Sequence, residues 1–151
     1  MTGSLKKATP YFEERTFLTV DGAYSPGIHT LTRLEDNSLL ISAPTKGGKI
    51  ICFSPDEGAT WGSTVKAPKG LNIIEASNGD LVNVYYEVRK PFEDMRILRI
   101  MSKDRGKTWS ETLQLETGHL YNDFERQLTR LSDGTLVIPF SWERKIEKGD
   151  K

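Results

Sequence analysis

The chain has 151 residues, of which 21 are basic and 21 acidic, for a formal net charge of zero. That length suits one domain able to bury roughly 68–70% of its unfolded surface, and the balanced charge leaves no basic stripe for DNA or RNA, so no nucleic-acid partner is expected. A single cysteine, Cys52, excludes an internal disulfide, and no apolar run approaches a membrane span, so no membrane partner is expected either.

Taken in chain order, residues 1–10 form a loose lead-in whose start, Met1-Thr2-Gly3-Ser4-Leu5-Lys6-Lys7, is followed by no apolar core of a signal peptide. Localisation is left unassigned. Residues 15–20 carry the β-branched and aromatic content of a strand, and the turn signals Asp21-Gly22 and Ser25-Pro26-Gly27 follow. Strands are then expected near 29–34, 39–43, 49–54 and 63–67, again near 71–76, 81–88, 96–102 and 111–116, and finally near 125–131 and 136–142. Cys52 falls in Lys49-Ile50-Ile51-Cys52-Phe53 and reads as a small buried apolar residue. The stretch from Phe92 to Met101 alternates as a strand, and no segment reads as a helix. The chain closes on the charged run from Glu143 to Lys151.

Two internal repetitions run through these elements. Hairpins of the form apolar strand, polar turn, Leu-apolar strand place their post-turn leucines at Leu39, Leu81 and Leu136, 42 and then 55 residues apart. Asn78-Gly79 and Asp133-Gly134 are hairpin-turn pairs. More specific is an eight-residue phrase, Ser54-Pro55-Asp56-Glu57-Gly58-Ala59-Thr60-Trp61, which returns 48 residues later as Ser102-Lys103-Asp104-Arg105-Gly106-Lys107-Thr108-Trp109. Both read S-x-D-x-G-x-T-W. The carboxylate can fold back onto turn N–H groups, the glycine can take positive φ, the hydroxyls can satisfy local groups, and the tryptophan supplies an apolar anchor with one N–H to place.

This phrase is the Asp-box, and from about Gly27 to Trp142 the chain resembles the sialidase or neuraminidase superfamily of BNR-repeat β-propellers, its N-terminal half only. The resemblance implies an all-β fold, a partial β-propeller of about two and a half to three four-stranded antiparallel blades with two Asp-boxes. The single domain, 1–151, would comprise a lead-in (1–26), blade one (27–68), blade two (69–117), an incomplete blade three (118–143) and a charged tail (144–151). Propellers close as rings of typically 4–8 blades, so an open arc would leave an uncovered face and an unpaired edge. Self-association into a homo-oligomer, or union with missing C-terminal blades, would complete it. The N-terminal strand covering the arc is a further way out.

The same resemblance puts the A–B turns and Asp-boxes on one face of the ring and the D-to-A and B-to-C loops on the other, where ligands bind. Ser54, Asp56, Gly58, Thr60, Trp61, Ser102, Asp104, Gly106, Thr108 and Trp109 are thus structural. The candidate ligand-binding residues are His29, Glu87, Arg89, Asp94, Tyr121, Asp123, Arg126 and Trp142, a set suited to a glycan: guanidinium groups for a sugar carboxylate, aromatic faces for a ring, carboxyls for acid–base work. Blander roles stand beside these. His29 suits a strand-end histidine, Glu87, Arg89 and Asp94 suit a solvated hairpin of local ion pairs, and Trp142 suits a cover for an open flank.

Sialidase resemblance implies three arginines on the substrate carboxylate, a Tyr nucleophile with a Glu, and an Asp acid/base, outside the usual two-carboxylate scheme. Where the first arginine is expected, in an Arg-Ile-Pro phrase, this chain has Gly27-Ile28-His29-Thr30. The remaining catalytic positions belong to later blades, so no catalytic residue is assigned. The run from Asn122 to Pro139 resembles the family phrase N-D-R … L-S-D-G-x-L-x-x-P with an insertion before Arg126. His29, His119 and Cys52 offer no metal-ligand spacing, and no metal or cofactor is expected. The functional expectation is a sialidase-like glycoside hydrolase fragment, inactive alone, that self-associates to complete a propeller. The alternative is a non-catalytic carbohydrate- or protein-binding propeller module, and whether the chain is an enzyme stays open.

Overall fold

Short apolar runs separated by turn residues at regular spacing fold as antiparallel meanders. The computed structural model describes residues 30–70, 72–90, 94–118, 123–124 and 128–141. Strands β1 (Thr30–Arg33), β2 (Leu39–Thr45), β3 (Gly48–Ser54) and β4 (Val65–Ala67) make one four-stranded sheet in chain order. Strands β5 (Asn72–Glu75), β6 (Leu81–Lys90), β7 (Asp94–Ser102) and β8 (Leu113–Gln114) make a second sheet of the same order. The protein is all-β and antiparallel, with no helix among the described residues.

The third unit departs from the two strands expected near 125–131 and 136–142. Four two-residue strands replace them: β9 (Asp123–Phe124), β10 (Thr129–Arg130), β11 (Leu136–Val137) and β12 (Phe140–Ser141). β10 pairs with β11, and β9 with β12. Phe124 pairs with Phe140 and Thr129 with Val137, so β9 and β10 stand four residues apart in sequence where β11 and β12 stand two apart. The ladder cannot stay in register across that mismatch, and Pro139, within the shorter side, has no N–H to give it.

Three of the β-hairpin turns, β1–β2, β5–β6 and β10–β11, share one closure. Leu34, Ala76 and Leu131 each donate their N–H to the residue four positions on and accept the N–H of the residue three on. Asp36, Asn78 and Asp133 each accept the N–H of the residue two on, at 2.9, 3.2 and 2.9 Å. Asn37, Gly79 and Gly134 take positive φ (65°, 84° and 88°), the left-handed step that Gly and Asn tolerate best. These turns put Leu34, Ala76 and Leu131 at equivalent positions, and with them Asp36, Asn78 and Asp133.

Packing follows from the two-residue period of a strand. Leu34, Leu40, Ile51 and Ala67 of the first unit meet Ile73 and Leu81 of the second, with Phe53, Val65 and Trp109 against them. The next residues along, Ile74 and Val82, join Val84 and Ile97 on the opposite face of the second sheet and meet Leu128, Leu136 and Ile138 of the third unit. The second sheet is therefore covered on both faces. This is why Leu81-Val82-Asn83-Val84-Tyr85 is buried without a break instead of alternating. Each such aliphatic side chain contributes about 1.5–3 kcal/mol on full burial.

The two S-x-D-x-G-x-T-W phrases link β3 to β4 and β7 to β8, and they close alike. Ser54 and Ser102 donate through Oγ to Asp56 and Asp104 (3.0 and 2.8 Å) and accept from the N–H of Gly58 and Gly106 (both 2.7 Å). One carboxylate oxygen of each Asp accepts the Thr N–H (2.7 and 2.8 Å) and the other accepts the Thr hydroxyl (both 2.6 Å). The Trp61 and Trp109 indole N–H groups donate to the glycine carbonyls at 3.1 and 3.0 Å. These bonds hold Asp104 at about 2 and lower Asp56 too, the threonine hydroxyl being the largest cause in both.

Polar ties join the units at this end. Arg105, at the variable position between the Asp and the Gly of the second loop, reaches back to the first hairpin turn, donating to Asp36 (2.6 Å) and Ser38 (2.9 Å) while lying 4.5 Å over the Phe53 ring. Arg130 donates to the Glu75 carbonyl at 3.3 Å and pairs with Glu35. The Glu35 N–H in turn meets the Glu75 carboxylate at 2.6 Å.

Candidate functional site

Antiparallel order puts the β6–β7 hairpin end and the β4–β5 connection opposite the corner loops. Here β6 and β7 run past their neighbours: Glu87 faces Arg96 and Lys90 faces Asp94 across the ladder. The register shifts between Val88 and Lys90, which leaves Arg89 as the extra residue of a β-bulge, a device that turns a side chain off the ladder. Both strands are longer than the spans 81–88 and 96–102: β6 runs on to Lys90, and Asp94 opens β7, inside the stretch from Phe92 that alternates as a strand.

Two charged groups form on this hairpin. Glu87 accepts from Arg89 at 3.2 Å and lies 3.6 Å from Lys69. Asp94 takes the Arg96 guanidinium side-on, at 2.7 Å through Nε and 3.3 Å through the terminal nitrogen. Arg96 also donates to Gln114 at 2.8 Å, and Gln114 donates to Glu116 at 3.3 Å. The hydrogen bond from Arg96 lowers Asp94 below its ordinary value, and the same bond raises Arg96. Asp94 is thus a charged acceptor whose two oxygens are both engaged by Arg96. Arg89 and Lys69 keep about half or more of their side chains in solvent, where an outside anion can reach them.

Lys69 is positioned by the backbone. The fully buried Asn83 donates its amide to the Lys69 carbonyl at 2.5 Å. Gly70 follows with φ +64°, where an added Cβ would meet Asn83 Oδ1 and Tyr85 Cβ, both at 2.7 Å. Lys69 then extends over the Tyr85 ring, 6.0 Å from its centre, and Tyr85 shares a 3.2 Å hydrogen bond with Thr112. The Oδ1 atoms of Asn83 and Asn72 are buried without a hydrogen-bond partner among the described residues.

Of the eight sequence-derived candidates, Glu87, Arg89 and Asp94 thus share one hairpin, each in a local ion pair. Asp123 lies in β9 opposite Ser141. His29, Tyr121, Arg126 and Trp142 lie outside the described residues. Sequence reasoning missed Lys69, Arg96 and Gln114. Arg96 is the cross-strand partner of Glu87, a pairing that depends on the bulge at Arg89, and Lys69 depends on the Gly70 turn, so no local pattern marks either. An open cleft of about 360 Å³ lies at the other end of the sheets, against the second and third hairpin turns. It is lined by Glu35, Ser77, Arg130, Ser132, Asp133 and Gly134 among others, and the Arg130–Glu35 pair occupies it. Among the described residues no three His, Cys, Asp or Glu side chains converge on a point that could hold a metal.

No protein-family model matches the chain, and no curated protein matches it. Among solved structures it is similar to a mutant of NanB sialidase from Streptococcus pneumoniae, at 23% identity over 58% of this chain and 14% of that one, with a TM-score of 0.42. It is also similar to NanB plus Optactamide, at 21% identity over 73% of this chain and 18% of that one, with a TM-score of 0.45. The match therefore spans less than a fifth of the length of either.

Proposed function

We propose that the chain is part of a sialidase-like β-propeller, in which the two four-stranded sheets are successive blades, the two tryptophan-ended loops are Asp-boxes, and the third hairpin begins a further blade. One observation carries this reading. The same set of hydrogen bonds closes the same turn twice, each time between the third and fourth strands of a meander, and the two meanders stack face to face. In this role the segment serves a glycoside-hydrolase scaffold and is inactive by itself. Asp94, the carboxyl best placed at the open end, is committed to Arg96, and the position where a substrate-gripping arginine is expected reads Gly27-Ile28-His29-Thr30. Further blades stacked on the third hairpin would complete the ring. The test is turnover of a fluorogenic sialoside by the purified chain: none is expected, and Arg89→Ala leaves that result unchanged. Turnover by the chain alone overturns the proposal.

A second reading, a non-catalytic glycan-binding module, is favoured by Arg89, which the bulge turns off the ladder beside the exposed Lys69. It expects sialoside binding without hydrolysis in a calorimetric titration, weakened by Arg89→Ala.

A further inference from the structure

The turn equivalences identify which residues a neighbouring sheet would cover. Val82, buried against the third unit, corresponds to Val137, which is 40% exposed. Ala76, packed in the same cluster, corresponds to Leu131, which is 45% exposed. The outward face of the β10–β11 hairpin is thus the counterpart of a face that is covered one unit earlier. Asp133 marks the edge of that face. Its first-unit counterpart, Asp36, is met by Arg105 from the next sheet's corner loop. Asp133 accepts the Thr135 N–H at 2.9 Å, and among the described residues no cation reaches it.

Glu57 occupies in the first corner loop the place that Arg105 occupies in the second, and the two share φ +57°. If a second copy of the chain stacked its first sheet on the β10–β11 face in the repeat's own register, Glu57 would approach Asp133. Two carboxylates would then stand where the observed junction has an ion pair, and like charges across an interface select against that partner.

We infer that the β10–β11 face, with Leu131, Val137 and Asp133, docks a β-sheet whose corner loop carries an arginine or lysine at the position of Arg105, and that the first sheet of a second copy is not this partner. This rests on the blade-stacking reading above and fixes the chemistry of the blade it requires. Glu57→Arg supplies the missing charge on the chain itself, and sedimentation velocity over a concentration series reads the outcome. Glu57→Arg is expected to associate head to tail about fivefold tighter than the unsubstituted chain. Adding Asp133→Asn or Val137→Glu should return it to the starting behaviour, with circular dichroism checking that each variant is folded. Association of Glu57→Arg that is no tighter than that of the unsubstituted chain overturns the inference. So does association of the unsubstituted chain that Val137→Glu abolishes. Either result leaves the blade reading itself standing, because the stacking of the first two sheets is tested separately through Gly106.

Discussion

The two corner loops have the same five fixed residues and the same hydrogen bonds, yet they sit in different surroundings. An added Cβ on Gly58 would find Leu39 and Trp61 at 3.8 Å, ordinary contact distance. On Gly106 it would find Ile51 Cδ1 at 2.2 Å, and Ile51 belongs to the neighbouring sheet and is fully buried. Glu57 pairs with Arg33 of its own sheet, in solvent, whereas Arg105 crosses to Asp36, Ser38 and Phe53. The repeated residues close the loop on itself. The variable residue and the depth of the glycine decide whether that loop also fastens one sheet to the next.

The largest effect that would break this comparison is at the glycines. Gly58→Ala puts an L-residue at φ +91° with room for its methyl group, which costs about 1–2 kcal/mol. Gly106→Ala at φ +83° bears the same backbone cost and must also displace Ile51 inside a closed core, for a total of about 2–4 kcal/mol. Urea unfolding of the two variants measures the difference. Equal losses would mean that the second loop is not seated on the first sheet.

What could be read beforehand divides along the same line. The Asx closures at Asp56, Asp104 and Asp133 span two to four residues, so the chemistry of a short segment determines them and the sequence displays it. The first eight strands follow from runs such as Ile50-Ile51-Cys52-Phe53 bounded by turn residues. The split third hairpin does not, because no strand pattern reveals that β9 and β10 stand further apart in sequence than β11 and β12. Arg105 stands at a variable position and meets a residue 69 positions away, so nothing local marks it. The candidate site was visible as a concentration of charge in Glu87, Arg89 and Asp94. Its pairing was not, because the Arg89 bulge changes which residues face one another.

A smaller effect sharpens the contrast between the variable residues. Arg105→Ala removes an ion pair, a hydroxyl contact and a ring contact from a side chain that is 48% exposed, and solvent screening holds the loss to about 1 kcal/mol. Glu57→Ala removes one pair from a side chain that is 76% exposed and is expected to cost about 0–0.5 kcal/mol. Thermal unfolding of both variants should therefore rank Arg105 first.

The smallest effect is a titration, and it isolates the cross-sheet tie from the rest of the fold. Asp36 is lowered from its ordinary 3.8 to about 2, chiefly by the Ser38 hydroxyl and then by Arg105. A carboxyl depressed in the folded state stabilises that state above its unfolded value. The contribution is complete above about pH 4 to 5 and is lost as pH falls toward 2. Arg105→Ala should move Asp36 upward only part of the way, because both Ser38 bonds remain. Asp133, which is lowered by the Thr135 N–H and has no such arginine among the described residues, should not move at all. Carboxyl-detected NMR across pH 2 to 6 follows both residues in one sample. A shift at Asp36 alone places the effect in the tie between sheets, whereas equal shifts at both would trace it to a general change in charge.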